Sequence, residues 1–361
     1  MEVLSYNKRN DVVLPGLYIQ RNAIYSVLLI PLPRNIYLWK LLSKRITRPP
    51  HEWHVWHRQA EGNRSERTCL RISSLTIHIL CPFRVPSNLI QSLSSSMSST
   101  ANVRRPFVGG NWKAYNDPEK VSTLVNELSN VAISDEVEVL IAPTYIYLDR
   151  VNAALGKRFN VSAQDCAATD DGAYTGDISA KGLFDFGIKW VIIGHSERRK
   201  LHNETNSIVG AKVTKALNSG LKVVACIGET LEERKSGQLN AVLSGQMEAI
   251  VKGVNESKDG AANWAKVVIA YEPVWAIGTG VVASPAEAED AHKFVRNWLA
   301  SATSSEIAAS TRIIYGGSVK PDNARELFTQ PNIDGFLVGG ASLVGKSFEA
   351  ICNATVSTSK L

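Results

Sequence analysis

The sequence predicts a parallel (β/α)8 barrel, a single domain over residues 105–361. Three observations carry this. Eight short apolar runs recur through the stretch, helical segments separate them, and the polar residues gather just after the runs rather than inside them. An open doubly wound sheet is the alternative. Such a sheet places a glycine-rich phosphate turn after its first strand, and Gly109-Gly110-Asn111-Trp112-Lys113 is not that turn.

In order, the predicted strands are Phe107 to Trp112, Val137 to Ala142, Phe159 to Gln164, Trp190 to Gly194, Val223 to Ile227, Val267 to Ala270, Arg312 to Gly316 and Gly335 to Val338. Each is a brief apolar run of the kind expected for a strand buried on both faces. Between them, Pro118 to Leu128, Ile208 to Leu217 and Pro285 to Leu299 repeat apolar residues at helical spacing, with Ser or Asp placed as N-caps.

Composition bounds the rest. The 361 residues are 44% hydrophobic and 20% charged, enough for a large core. The net charge of +6 is uneven: residues 1–105 hold 15 Lys and Arg against 5 Asp and Glu, and the remainder is slightly acidic. The basicity belongs to an N-terminal extension, residues 1–104, whose composition predicts disorder. Arg- and Ser-rich, acid-poor sequence suits a transit peptide, but the scattered Trp, His and Pro residues do not. Three readings stay open: a targeting segment, upstream sequence absent from a working protein that starts at Met97, or a basic appendage. The apolar stretch around Val27 to Leu32 is far short of the roughly 20 residues of a membrane span. Five irregularly spaced cysteines make neither a disulfide framework nor a metal pattern, which points to a reducing compartment.

In a barrel of this kind the chemistry sits at the carboxyl ends of the strands. There the sequence places Asn111 and Lys113, then Gln164 and Asp165, then His195, Ser196 and Glu197, then Glu229, Glu272, the pair Gly316-Gly317 with Ser318, and the pair Gly339-Gly340. Glu272 ends a buried run and precedes Pro273, which favours extended backbone and aims the side chain. It is the candidate base. A helix start at His195 disfavours the imidazolium, so a neutral donor or proton shuttle is expected. Lys113 can hold an anion and stabilise charge growing on oxygen. The two glycine pairs expose N–H groups where barrels bind phosphate, and Ala276 to Gly280 suits a lid behind the base.

Five segments resemble the signatures of the triosephosphate isomerase family: Gly109 to Lys113, Ile193 to Arg199, Ala270 to Gly280, Ile314 to Val319 and Gly335 to Leu343. They occur in that family's order, and the resemblance covers about Phe107 to Ala354. It implies a TIM barrel that interconverts dihydroxyacetone phosphate and D-glyceraldehyde 3-phosphate through an enediolate, a step of glycolysis and gluconeogenesis, without cofactor or metal. Catalysis would fall to Glu272, His195, Lys113 and Asn111, with a glutamate base and a neutral histidine as the family's arrangement. Glu197, Ser196 and Cys226 would support them, with Glu197 pairing to Lys113. Phosphate would meet the backbone of Gly278, Ser318, Gly339 and Gly340. The lid would comprise Pro273, Val274, Trp275, Ala276, Ile277, Thr279 and Gly280, latched by Tyr315 and Ser318. The resemblance also implies a homodimer, in which a loop carrying Thr175, Gly176 and Asp177 enters the partner subunit, with Arg198 pairing to Asp177.

The chain departs from the family pattern at Ala114, Tyr115 and Asn116, which bear on dimer affinity, and at Asp165, where Asn is usual, and Asp177, where Glu is usual. Val281-Val282-Ala283 replaces a hinge that commonly begins with Lys. A barrel kept only for binding would lack Glu272, His195 or Lys113, and all three are present. Neither nucleic acid nor membrane is expected as a partner, because the barrel is slightly acidic and has no span. The cytoplasm is the expected location, with a plastid or mitochondrion as the alternative if residues 1–96 direct transit.

Overall fold

The computed structural model describes residues 104–115, 117–277 and 283–356, together with the backbone of five short strands nearer the N-terminus. The chain divides into two units, Met1–Ser99 and Thr100–Leu361. In the first, Ser26–Leu32 pairs antiparallel with Ile36–Leu42, and Trp53–Arg58, Arg67–Ser73 and Thr76–Ile79 form a three-stranded antiparallel sheet. The rest of the extension, including Met97, lies outside the described residues, as do Asn116, Gly278, Thr279, Gly280, Val281 and Val282.

The second unit is the barrel. Its strands are β1 (Phe107–Asn111), β2 (Glu138–Ala142), β3 (Asn160–Ala163), β4 (Trp190–Ile193), β5 (Lys222–Ile227), β6 (Val267–Tyr271), β7 (Arg312–Tyr315) and β8 (Gly335–Val338). All eight predicted runs are strands, parallel and closed into a ring, with Gly335 of β8 in register with Phe107 of β1. The helices are α1 (Pro118–Ser129), α2 (Leu148–Leu155), α3 (Ala180–Asp185), α4 (Ser196–Leu201), α5 (Asn206–Asn218), α6 (Leu231–Lys235), α7 (Leu239–Asn255), α8 (Pro285–Ala302), α9 (Ser305–Ser310), α10 (Ala324–Phe328) and α11 (Gly345–Ala354).

Local chemistry sets where helices begin. Asp117 accepts the Lys120 N–H ahead of Pro118 in α1, and Thr205 accepts the Ile208 N–H at the start of α5. Ser284 and Glu287 form a capping box that opens α8 at Pro285. Residues three and four apart then face inward, as with Val121, Leu124 and Leu128 of α1.

Strand alternation divides the apolar residues into two clusters. One fills the space between strands and helices. The other comprises Phe107, Leu140, Ala142, Trp190, Ile192, Val224, Cys226, Val268, Ala270, Ile314 and Leu337, and fills the barrel, with the Phe107 and Trp190 rings 5.1 Å apart. Each fully buried large side chain contributes about 1.5–3 kcal/mol of transfer free energy. Extending the inward alternation by one position places Asn111, Gln164, Gly194, Gly228, Glu272, Gly316 and Gly339 at the mouth. Four of those seven lack a side chain, which leaves space around the three that have one.

Candidate active site

Glu272 is the first residue past β6 and is 2% exposed. Its N–H donates to Ile227 O over 2.7 Å, which carries it into the barrel's hydrogen-bond ring. A Cβ at Gly228 would overlap the Glu272 carbonyl, and one at Gly316 would lie 2.9 Å from Glu272 Cγ. Both glycines are therefore required by close approach. The sequence reading missed Gly228. It also missed Gln246 on α7, whose side chain accepts the Gly228 N–H at 2.7 Å and donates to Gly228 O at 3.0 Å.

The carboxylate has two partners on one short element. Ser196 N–H donates to Oε2 over 2.9 Å, and His195 Nε2 lies 3.0 Å from Oε1. Burial pushes the Glu272 carboxyl up, but His195, the Ser196 N–H and Lys113 outweigh it and hold it below the ordinary glutamate value. His195 is the N-cap of α4, and its Nδ1 accepts the Glu197 N–H at 3.2 Å. That contact selects the tautomer with its proton on Nε2, facing Glu272. Burial opposes a second proton, yet the adjacent Glu272, then Glu197, raise the histidine's pKa above its ordinary value. The helix terminus fixes the tautomer, while the carboxylate in contact decides proton affinity.

Lys113 sits just beyond β1 with φ of 49°, a left-handed conformation that a lysine rarely adopts. Its N–H donates to Asn111 Oδ1 at 3.1 Å, and its carbonyl accepts Gln164 Nε2 at 2.9 Å. Such local strain persists where surrounding contacts over-determine it. The ammonium pairs with Glu197 Oε1 at 2.5 Å, the partner that the family resemblance implies. Gln164 was legible only as a polar strand end; the structure makes it the support of the Lys113 backbone.

Around this centre, Gly339 follows β8 with Lys113 Cε 3.6 Å from where its Cβ would be, and Gly340 opens a short 3-10 turn. Ser318 Oγ donates to Ala276 O over 2.7 Å. Pro273, Val274, Trp275, Ala276 and Ile277 are described, and Trp275 Nε1 donates to Glu229 Oε1 at 2.9 Å. Gly278, Thr279 and Gly280 are the part of the expected lid outside the described residues. Tyr315 is fully buried, and burial pushes its phenol up to about 12. Cys226 is buried inside the barrel, and burial raises its thiol well above the ordinary value, which fits a packing residue. The mouth thus joins a buried carboxylate, an imidazole and an ammonium, a set suited to moving protons beside a polarised carbonyl.

Comparison with known proteins agrees with this geometry. A family model described as triosephosphate isomerase matches residues 106–355. The chain belongs to the triosephosphate isomerase family. It is similar to the chloroplastic triosephosphate isomerase of Secale cereale, 49% identical over 70% of this chain and 82% of that protein. It is also similar to the cytosolic triosephosphate isomerase of Oryza sativa subsp. japonica, 48% identical over 71% of this chain and 99% of that protein.

Within the chain, Arg198 pairs with Asp165 Oδ2 at 2.9 Å and Glu204 Oε1 at 2.8 Å. Thr175, Gly176 and Asp177 are exposed in the loop after β3.

Proposed function

We propose that the barrel mouth interconverts dihydroxyacetone phosphate and D-glyceraldehyde 3-phosphate, a step of glycolysis and gluconeogenesis. Glu272 removes a proton from the carbon beside the substrate carbonyl and returns it to the neighbouring carbon. His195, with its proton on Nε2, donates to the carbonyl oxygen and moves protons between the two oxygens of the enediolate. Lys113 and Asn111 stabilise the oxyanion. Backbone N–H groups of Gly278, Ser318, Gly339 and Gly340 hold the phosphate, and the segment from Pro273 to Gly280 closes over it. Closure keeps water from an enediolate that would otherwise expel its phosphate.

The observation that carries this reading is the buried contact of Glu272 with His195 Nε2 at 3.0 Å, beside a lysine that the chain holds in a strained conformation. Isomerase assay of the full chain against Glu272→Asp tests it. Retracting the carboxylate by one methylene is expected to lower kcat by about 100-fold or more with little change in KM. Equal activity in the two would overturn the assignment.

A homodimer fits the surface. Tyr115, Ile146 and Tyr174 are exposed on the loops after β1, β2 and β3, and Leu201 at the end of α4, so four apolar side chains follow four neighbouring strands. Among the described residues no helix is long and apolar enough to cross a membrane. Named relatives include both chloroplastic and cytosolic forms. The cytoplasm remains our reading, with a plastid or mitochondrion as the alternative if residues 1–96 act in transit.

A further inference from the structure

Helix α4 supplies the contacts on which the site depends. His195 caps it, its first N–H holds Glu272, and Glu197 in its first turn holds Lys113. None of its six residues is buried. A helix so short does not persist alone, and without an inward apolar face it cannot be held by burial. Its position must come from polar contacts, and two consecutive arginines supply them. Arg199 Nε donates to Gly194 O at 2.9 Å and Nη1 to Asn206 Oδ1 at 2.7 Å. Arg198 reaches the other way, to Asp165 and Glu204.

Those two carboxylates are themselves gripped from below. Lys212 on α5, 5% exposed, brings Nζ to 2.8 and 2.6 Å from the Asp165 oxygens and 2.7 Å from Glu204 Oε1. Three acceptors match the three donors of one ammonium. With Arg198 the group holds two cations and two carboxylates, all from one chain. Tyr145 adds a bond from its hydroxyl to Asp165 O at 2.5 Å, which fixes the backbone as well. Apolar residues of similar volume would serve stability at least as well as such a cluster. What the ions provide is direction.

We propose that the Asp165–Lys212 pair positions α4 and, through it, sets His195 and the Ser196 N–H against Glu272. Both are positioning residues, acting through Arg198 on the helix and not on the reacting atoms. The inference rests on the catalytic reading of His195 and Glu272.

The test uses the full chain with Lys212→Met, Asp165→Asn and the double variant. It reads kcat, KM, melting temperature and the titration of His195 by nitrogen NMR, the last needing no turnover. His195 faces Glu272, Glu197 and Lys113, none of which is altered. Lys212→Met is expected to lower kcat by about 10- to 100-fold with little change in KM, and to move the His195 midpoint down as the Glu272 contact loosens. The double variant restores charge balance, so melting temperature should recover while kcat stays low. Parental kcat and His195 titration in Lys212→Met would overturn the proposal, as would a double variant that regains kcat together with stability. Should Lys212→Met fail to fold, the milder Asp165→Asn decides: a shifted His195 midpoint supports positioning and an unchanged one overturns it. An inactive parent would sink the catalytic reading alone, and the His195 titration would still judge the positioning claim.

Discussion

The N–H of Ser196 donates to Glu272 Oε2 over 2.9 Å, and this one bond joins the end of β4 to the end of β6 across the barrel mouth. Together with His195 it makes the carboxylate's protonation a property of two strands at once.

That coupling predicts a pH window for stability. The folded pKa of Glu272 is lowered from 4.5, so its contribution is present above 4.5 and lost as pH falls through the lowered value. His195 is raised from 6.5, so its contribution is present below 6.5 and lost as pH rises through the raised value. The melting-temperature difference between the parent and Glu272→Gln should therefore be greatest between pH 4.5 and 6.5, the ordinary values of the two groups. A difference that is flat with pH would contradict it.

A second titration lies where α8 packs against the barrel strands. His292 on α8 is fully buried, with Nδ1 2.7 Å from Ala288 O and its ring edge-on to Tyr271 at 5.5 Å. Burial pushes its pKa down from 6.5 to about 4. The unfolded chain binds the proton more readily, so stability falls as pH drops from 6.5 towards 4, by at most about 1.4 kcal/mol per pH unit. Denaturant titrations of His292→Leu should show that slope removed, and an unchanged slope would place its origin elsewhere.

Gly228 and Gln246 should behave as one device. Gly228→Ala forces a methyl against the Glu272 carbonyl, and a displacement near 1 Å is expected to lower kcat by about 100-fold. Gln246→Leu leaves both polar groups of the Gly228 peptide without their side-chain partner and should destabilise the chain by about 1–3 kcal/mol for each group left buried and unpaired. Steady-state kinetics and urea unfolding read the two effects, and parental values in both variants would dismiss the device.

For the dimer, Tyr174→Asp is the informative change, since Tyr174 is 50% exposed near the tip of the loop after β3. Replacing an aromatic contact worth about 1.5–3 kcal/mol should weaken association by roughly 10- to 100-fold. Sedimentation should then show more monomer at a given concentration, with specific activity rising as the protein is concentrated. A parent that is monomeric throughout would remove the prediction's basis.

The barrel was legible because each strand is a self-contained apolar run, so neither long-range contacts nor an alignment was needed to find Trp190 to Gly194 or Val223 to Ile227. The strand-end rule then located Lys113, His195 and Glu272 without knowing their distances. What the sequence concealed acts across the ring. Gln246 lies 18 positions from Gly228 on a helix whose pattern says only that it packs. Lys212 looks like a solvated helix lysine until α5 is placed beside Asp165 and Glu204.

The separation of the two apolar clusters has a consequence for how such a chain can drift over time. A changed residue between strands and helices meets a neighbour that can slide, so substitutions there are readily absorbed. Inside the barrel, Trp190 or Leu140 meets only other strands of a closed hydrogen-bonded ring, which cannot widen at one point without shifting its rim. Mutational tolerance should therefore be graded from the outside inward, with the interior eleven residues the slowest to vary although Glu272, His195 and Lys113 are not among them.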